Sequence, residues 1–291
     1  MSANTILVTG AGGLLGRHVL DAARYSFDIH AVVRKEPDKR LADVSYHIID
    51  FAMDWMTSSL PDKVDTIIHL AQSSQFRDFP KSALDIFRVN IESTGKLLDY
   101  ASRSGASRFI YASSGGVYGK GGVAFTENSP IAPLGQLGYY LGSKMCSEIL
   151  AQSYASLMHV VVLRPFFIYG PGQNRTMLIP RLMDNLYLNR PITLQGIDGI
   201  RINPVHVKDA SAAVIAAIFL NHSATFNIAG PDVLSIREIC ESMGEFINSK
   251  PIFTVSSEKK DDLIGDNRSM CEKLVVPHRR LFDFLIDVVA V

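Results

Sequence analysis

Cysteine is scarce in this chain. Three thiols, Cys146, Cys240 and Cys271, lie far apart in 291 residues and in no CxxC spacing. That excludes a disulfide framework and a cysteine-based zinc site, and it fits a reducing, cytoplasmic setting. The eight histidines include no HExxH pairing, so no metal site is expected. Net charge is zero, with 29 basic and 29 acidic residues, so nothing in the balance points to nucleic acid or an anionic membrane as partner. Long apolar runs are missing too. The longest candidate, Ala210 to Leu220, is half of what a membrane helix needs, about 20 residues. The N-terminus lacks the basic and apolar regions of a secretory leader. No internal repeat or low-complexity segment stands out, and "EKKDD" (Glu258 to Asp262) reads as a solvated loop.

What is present is alternation. The runs "TILVT", "IHAVVR", "TIIHLA", "RFIYAS" and "VVVLRP" are rich in Val and Ile, as suits strands buried on both faces of a parallel sheet. Helix-like stretches separate them, among them Leu15 to Arg24, Ala83 to Ser104 and Tyr139 to Ser156. This pattern predicts an α/β fold of the Rossmann type, a doubly wound parallel sheet. The texture changes after Arg164. We expect a dinucleotide-binding domain over 1–168 and 203–226, and a small substrate lobe over 169–202 and 227–291.

The stretch "TGAGGLLG" follows the first strand and opens the first helix. Gly10, Gly13 and Gly16 permit a tight turn, close approach to a pyrophosphate and close helix packing. Leu14 and Leu15 begin the helix, whose free N–H groups attract phosphate. The second strand ends at Arg34, where an acid would bind a ribose 2′-hydroxyl and an arginine suits a 2′-phosphate. NADP is therefore expected, with NAD as the alternative. Asp50 either meets the adenine end or serves as a plain turn residue.

"YYLGSKMCSE" places Tyr140 and Lys144 four apart, on one helix face. A nearby ammonium lowers a phenol's pKa from about 10, letting it pass protons to a hydroxyl near neutrality. "YASSGGVYG" puts Ser113 and Ser114 at the end of the predicted fifth strand, at the rim where open α/β sheets bind ligands.

Together, "TGAGGLLG", "HLA" (His69 to Ala71), "VNIESTGKLL", "YASSGGVYG", "YLGSKMCSE", "LRPFFIYGPGQ" and "PVHVKDA" make the chain resemble the extended short-chain dehydrogenase/reductase family, in its nucleotide-sugar epimerase/dehydratase branch. The resemblance implies hydride transfer at a sugar carbon and homodimers built through the helices expected at Ala83–Ser104 and Tyr139–Ser156. It implies Tyr140 as acid/base, Lys144 as its ribose-binding partner and Ser114 as the substrate hydroxyl's partner. Cofactor contacts are then expected at Gly10, Gly13, Leu14, Leu15, Gly16, Arg34, Asp50, Leu70, Ala71, Tyr140 and Lys144. Substrate contacts are expected at Ser114, Gly115, Phe167 and Arg201. Asn90 and His206 read as scaffold.

Departures from the family pattern narrow the activity. Gly115 and Gly116 stand where dehydratases carry an acidic pair, so water elimination is discounted. Phe167 stands where an Asn usually meets the substrate phosphate, and Phe cannot donate a hydrogen bond. Arg201 is displaced from its usual spacing, and either binds a phosphate or caps the lobe. The reading is an NAD(P)-dependent nucleotide-sugar epimerase or ketoreductase. One alternative is an NADP-dependent reductase of a non-sugar carbonyl. The other, a non-catalytic cofactor-sensing protein, is disfavoured because Ser114, Tyr140 and Lys144 are all kept.

Overall fold

The computed structural model describes residues 4–257 and 261–289. In chain order the elements are β1 (Thr5–Thr9), α1 (Leu14–Ala23), β2 (Asp28–Val33), β3 (Val44–Ile48), β4 (Thr66–His69), α2 (Ala83–Ile86), a π-helical turn (Phe87–Glu92), α3 (Ser93–Ser104), β5 (Arg108–Ala112), α4 (Leu134–Gln152) and β6 (His159–Pro165). Then come β7 (Ile168–Tyr169), α5 (Leu178–Tyr187), β8 (Ile192–Gln195), β9 (Arg201–Ile202), β10 (Val205–His206), α6 (Val207–Ala217) and β11 (Ala224–Ile228). The chain closes with β12 (Leu234–Ser235), α7 (Ile236–Ile247), β13 (Phe253–Ser256), α8 (Arg268–Lys273) and α9 (Leu285–Val289).

Seven strands form one sheet in the order β11-β6-β5-β4-β1-β2-β3. Every pair from β6 across to β3 is parallel. Strand order reverses at β1, whose neighbours are β2 and β4, and the carboxyl ends there frame the ligand crevice of a doubly wound sheet. The expected α/β fold is thus the observed one. β1, β4 and β5 are buried nearly throughout, as their continuous apolar runs require. β3 escapes the sequence pattern because it is an edge strand, with Ser45 and His47 breaking the apolar run of "VSYHI".

Two compact units result. The first comprises 1–117, 132–164 and 211–226; the second comprises 118–131, 165–210 and 227–291. The expected boundaries differ mainly in placing 118–131 and 203–210 with the first unit. The first unit's core joins Leu7, Ile67, Leu97, Phe109 and Val162. The second unit's core gathers Tyr169, Met183, Ile202, Ile239 and Leu285. There α7 starts with a reciprocal cap: Ser235 accepts from the Glu238 N–H, and Glu238 accepts from the Ser235 N–H. Of "EKKDD", Glu258 to Lys260 lie outside the described residues. Asp262 corrects the expectation of a solvated loop, since it is buried against Arg201.

The helix expected at Ala83–Ser104 carries a π turn in its middle. Within that turn the Asn90 carbonyl accepts the hydroxyls of Thr94 (2.6 Å) and Ser147 (2.8 Å). α4 starts earlier than expected and includes a break at Gly138 (φ 65°), immediately before Tyr139 and Tyr140. No helix among the described residues is long and apolar enough to cross a membrane.

Candidate active site

The glycine loop is dictated by close backbone approach. Gly10 has φ +66°, and a Cβ there would lie 2.7 Å from the Ala71 nitrogen. A Cβ on Gly16 would lie 2.2 Å from the Gly10 carbonyl oxygen, which instead accepts the Gly13 N–H at 2.9 Å. Gly13 is the N-cap of α1 and supplies no side-chain cap, so the first-turn N–H groups stay available to an anion.

Beside this loop lies a cleft of about 830 Å³, in the range of ligand sites. Of the expected cofactor contacts, Gly10, Gly13, Arg34, Asp50, Leu70 and Ala71 line it. Leu14, Leu15, Gly16, Tyr140 and Lys144 are not on its wall. The two leucines are the first helical residues, and Gly16 is buried against Gly10 and Ala11. Arg34 is exposed and donates to Ser74 Oγ at 3.1 Å. The Asp50 carboxylate accepts the Ala52 N–H at 3.0 Å, so it serves its own turn while facing the cleft. A volume of this size, a Cβ-free loop and an uncapped helix start fit a dinucleotide.

The second cluster sits on α4 and the end of β5, in the same unit. The Tyr140 hydroxyl donates to Gln72 Oε1 at 3.0 Å, and Gln72 lines the cleft. Ser114 follows β5; its Oγ accepts the Gly116 N–H at 3.1 Å, and its hydroxyl pulls the Tyr140 phenol down. Gly115 begins a short 3-10 turn, Gly115–Tyr118. A side chain on Gly116 would press on Leu141 at 2.9 Å. Lys144 is buried, and its Nζ donates to the Ala112 carbonyl at 2.8 Å.

The electrostatics correct one expectation. Burial pushes the Tyr140 phenol up to about 12, outweighing the opposite pulls of the Ser114 hydroxyl and the Arg77 guanidinium. Lys144 does not produce the expected lowering. Its ammonium is directed to a carbonyl, and burial pushes Lys144 itself down to about 7 while the Glu148 carboxylate pulls the other way. Glu148 is in turn held by Arg164 in a buried two-pronged ion pair, at 3.1 Å and 2.6 Å.

A buried polar chain fixes this frame. His69 bridges Thr9 Oγ1 (2.7 Å) and Thr94 Oγ1 (3.0 Å), and burial pushes it down to about 3, so it is neutral. Asn90 accepts the Ser73 N–H at 2.9 Å and donates to Ser143 Oγ at 2.8 Å, a scaffold role as read from the sequence. Gln72 and its neighbours Ser73, Ser74, Phe76 and Arg77 escaped the sequence reading. Their only signal is position, directly after "HLA".

In the second unit, Phe167 adopts φ +46° and packs against the Tyr169 core. Arg201 is tied to Asp262 by Nε at 2.8 Å and by its own backbone N–H at 2.7 Å. Phe125 and Phe166 both stack with Tyr118, inside the unit. His206 is buried and bonded to Asp287 at 2.9 Å, as a scaffold residue should be.

Comparison with known proteins agrees with this arrangement. The chain is 26% identical over 257 residues to a UDP-glucose epimerase of Bacillus subtilis (strain 168), YtcB, itself uncharacterized, covering 80% of this chain and 79% of that one. It is 26% identical over 263 residues to the dTDP-D-glucose 4,6-dehydratase of Mus musculus, covering 84% and 73%. The solved structure of MoeE5 in complex with UDP-glucose and NAD superposes with a TM-score of 0.85 at 25% identity, over 98% of this chain and 97% of that one. The model of the NAD dependent epimerase/dehydratase family matches residues 6–229, more than half of the chain, and the chain belongs to that family.

Proposed function

We propose that the chain is a nucleotide-sugar epimerase in which Tyr140 moves the proton of a sugar hydroxyl while hydride passes at the carbon that bears it. The observation that carries this reading is the Tyr140, Ser114 and Lys144 cluster, joined through Gln72 to the wall of the glycine-loop cleft. The similarity to UDP-glucose epimerase and to MoeE5 supports a nucleotide sugar as substrate. When bound, the nicotinamide supplies and takes up the hydride. The chain's own residues do the rest. Ser114 orients the reacting hydroxyl, Tyr140 exchanges its proton, and Lys144 holds the rim of β5 through Ala112. Dehydration is disfavoured because positions 115 and 116 carry glycine, so neither supplies a carboxylate.

Arg34 supports a preference for the 2′-phosphate of NADP, and with it a net ketoreductase, as the second reading. A homodimer through the long helices is supported by exposed Leu84, Phe87, Ile149 and Leu150. The three unpaired thiols support a cytoplasmic setting.

The test is a panel of UDP- and dTDP-sugars followed by NMR, with NADH and NADPH measured alongside. An epimerase interconverts stereoisomers with no net change in nicotinamide. Stoichiometric NADPH consumption moves the ketoreductase forward. Turnover only of carbonyls lacking a diphosphate overturns both.

A further inference from the structure

One hydrogen bond crosses the cleft at the glycine loop. β1 lies between β2 and β4, and Thr9 is level with Val32 on one side and His69 on the other. Gly10 follows β1 directly, Arg34 follows β2 directly, and Ser74 stands in the loop after β4. The bond from Arg34 Nη1 to Ser74 Oγ, at 3.1 Å, therefore joins the loops on either side of Gly10. β2 and β4 are two strand spacings apart, about 10 Å, a gap that a long side chain can span. Gly10, Arg34 and Ser74 all line the cleft.

The two ends of this bond are unequal. The neighbours of Ser74 are held in place. Ser73 donates its N–H to Asn90 Oδ1 at 2.9 Å and its hydroxyl to Asp85, and the Gln75 N–H donates to Ser73 Oγ at 3.0 Å. Gln72 accepts the Tyr140 hydroxyl at 3.0 Å. Arg34 is an exposed arm on a fixed root, since the Val33 carbonyl accepts the Ile49 N–H at 2.9 Å. The acid on its own loop, Glu36, is engaged by Arg40.

An arginine at the end of the second strand suits a 2′-phosphate because two parallel N–H donors can meet two oxygens. A ribose 2′-hydroxyl makes no such demand. Here Nη1 is given to Ser74, so the terminal fork of Nη1 and Nη2 is half spent. From this geometry we infer that Ser74 is a specificity-determining residue, which holds Arg34 across the cleft and so biases the site towards NAD over NADP. NADP has to break the Arg34–Ser74 bond to use the fork, and NAD does not. The inference rests on the reading of the cleft as a dinucleotide site and deepens it. It also limits the second reading of the function, because Arg34 serves a 2′-phosphate fully only once Ser74 releases it. The bias is that of one hydrogen bond, about 2- to 10-fold in affinity.

The experiment titrates NADH and NADPH into full-length wild type, Ser74→Ala, Arg34→Ala and the double variant, following nicotinamide fluorescence. Both positions are exposed, and circular dichroism confirms folding. In Ser74→Ala the ratio of the NADPH Kd to the NADH Kd should fall about 2- to 10-fold, through tighter NADPH binding. Added to Arg34→Ala, Ser74→Ala should leave that ratio unchanged. An unchanged ratio in Ser74→Ala alone overturns the inference. So does a raised ratio, which would mean that Ser74 presents Arg34 to the phosphate. The same fall in the Arg34→Ala background overturns it too, because Ser74 would then act without Arg34. These three results leave the dinucleotide reading standing. A wild type that binds neither nucleotide refutes that reading, and the inference with it.

Discussion

The glycine cleft of the first unit and the family positions of the second unit are built on opposite terms. Around the cleft, backbone geometry leaves no choice of residue: Gly10 and Gly16 have no space for a Cβ. In the second unit, the two positions where the family's pattern suggests phosphate ligands carry side chains occupied elsewhere. Phe167 packs into its core in a left-handed conformation, and Arg201 is paired with Asp262. A left-handed phenylalanine costs on the order of 1–3 kcal/mol, which its packing offsets. The contrast teaches that the glycine loop is fixed by its own sterics, while positions 167 and 201 are held by side-chain packing and pairing.

Substitutions can break that contrast or sharpen it. The largest effect is expected from Gly16→Val, which drives a side chain into the Gly10 carbonyl. Cofactor binding should be lost, along with much of the first unit's cooperativity in thermal melts; a fully stable, NAD-binding variant would break the steric half of the comparison. Next is Glu148→Gln, which removes the carboxylate from the buried ion pair with Arg164. It should cost about 3–5 kcal/mol in urea unfolding.

Lys144→Met follows, and its sign depends on pH. The folded pKa of Lys144, about 7, lies below its ordinary 10.5. Between those values the unfolded chain holds a proton that the folded chain lacks, so wild-type stability rises with pH through that window. Below pH 7 the cost of the buried charge is fully present. Lys144→Met should therefore be the more stable protein near pH 6, by on the order of a few kcal/mol. Its margin should shrink towards pH 9, as equilibrium unfolding at several pH values will show. The smallest effect is expected from Arg201→Gln. The pair is half-exposed on the arginine side, so about 1 kcal/mol is at stake. Loss of nucleotide-sugar affinity much beyond that loss of stability would make Arg201 a ligand and weaken the contrast.

Legibility in the sequence follows the same division. Parallel strands buried on both faces advertise themselves as Val and Ile runs, so β1, β2, β4, β5 and β6 were all readable, while the edge strand β3 was not. The glycine loop was readable because its spacing is imposed by the turn. Tyr140 and Lys144 were readable as a helical pair, but their electrostatics were not. The direction of a lysine's Nζ towards Ala112, and the depth at which a phenol is buried, are properties of the packed structure. Gln72 was invisible because one residue after "HLA" has no spacing signature. It meets Tyr140 across 68 positions of chain. The grouping of Tyr118–Ile131 with the second unit was hidden for the same reason, since it depends on long-range pairing such as Gly121 and Phe125 with Asp262 and Ile264.

The most direct test of the central claim is Tyr140→Phe, measured for nicotinamide binding and for hydride transfer with a nucleotide sugar in the same preparation. The account predicts a cofactor Kd within a few-fold of wild type and a fall in turnover of about 10²–10⁴-fold, the usual contribution of a positioned acid/base. Turnover that survives, or cofactor binding that disappears with it, would contradict Tyr140 as the proton-transferring residue of this site.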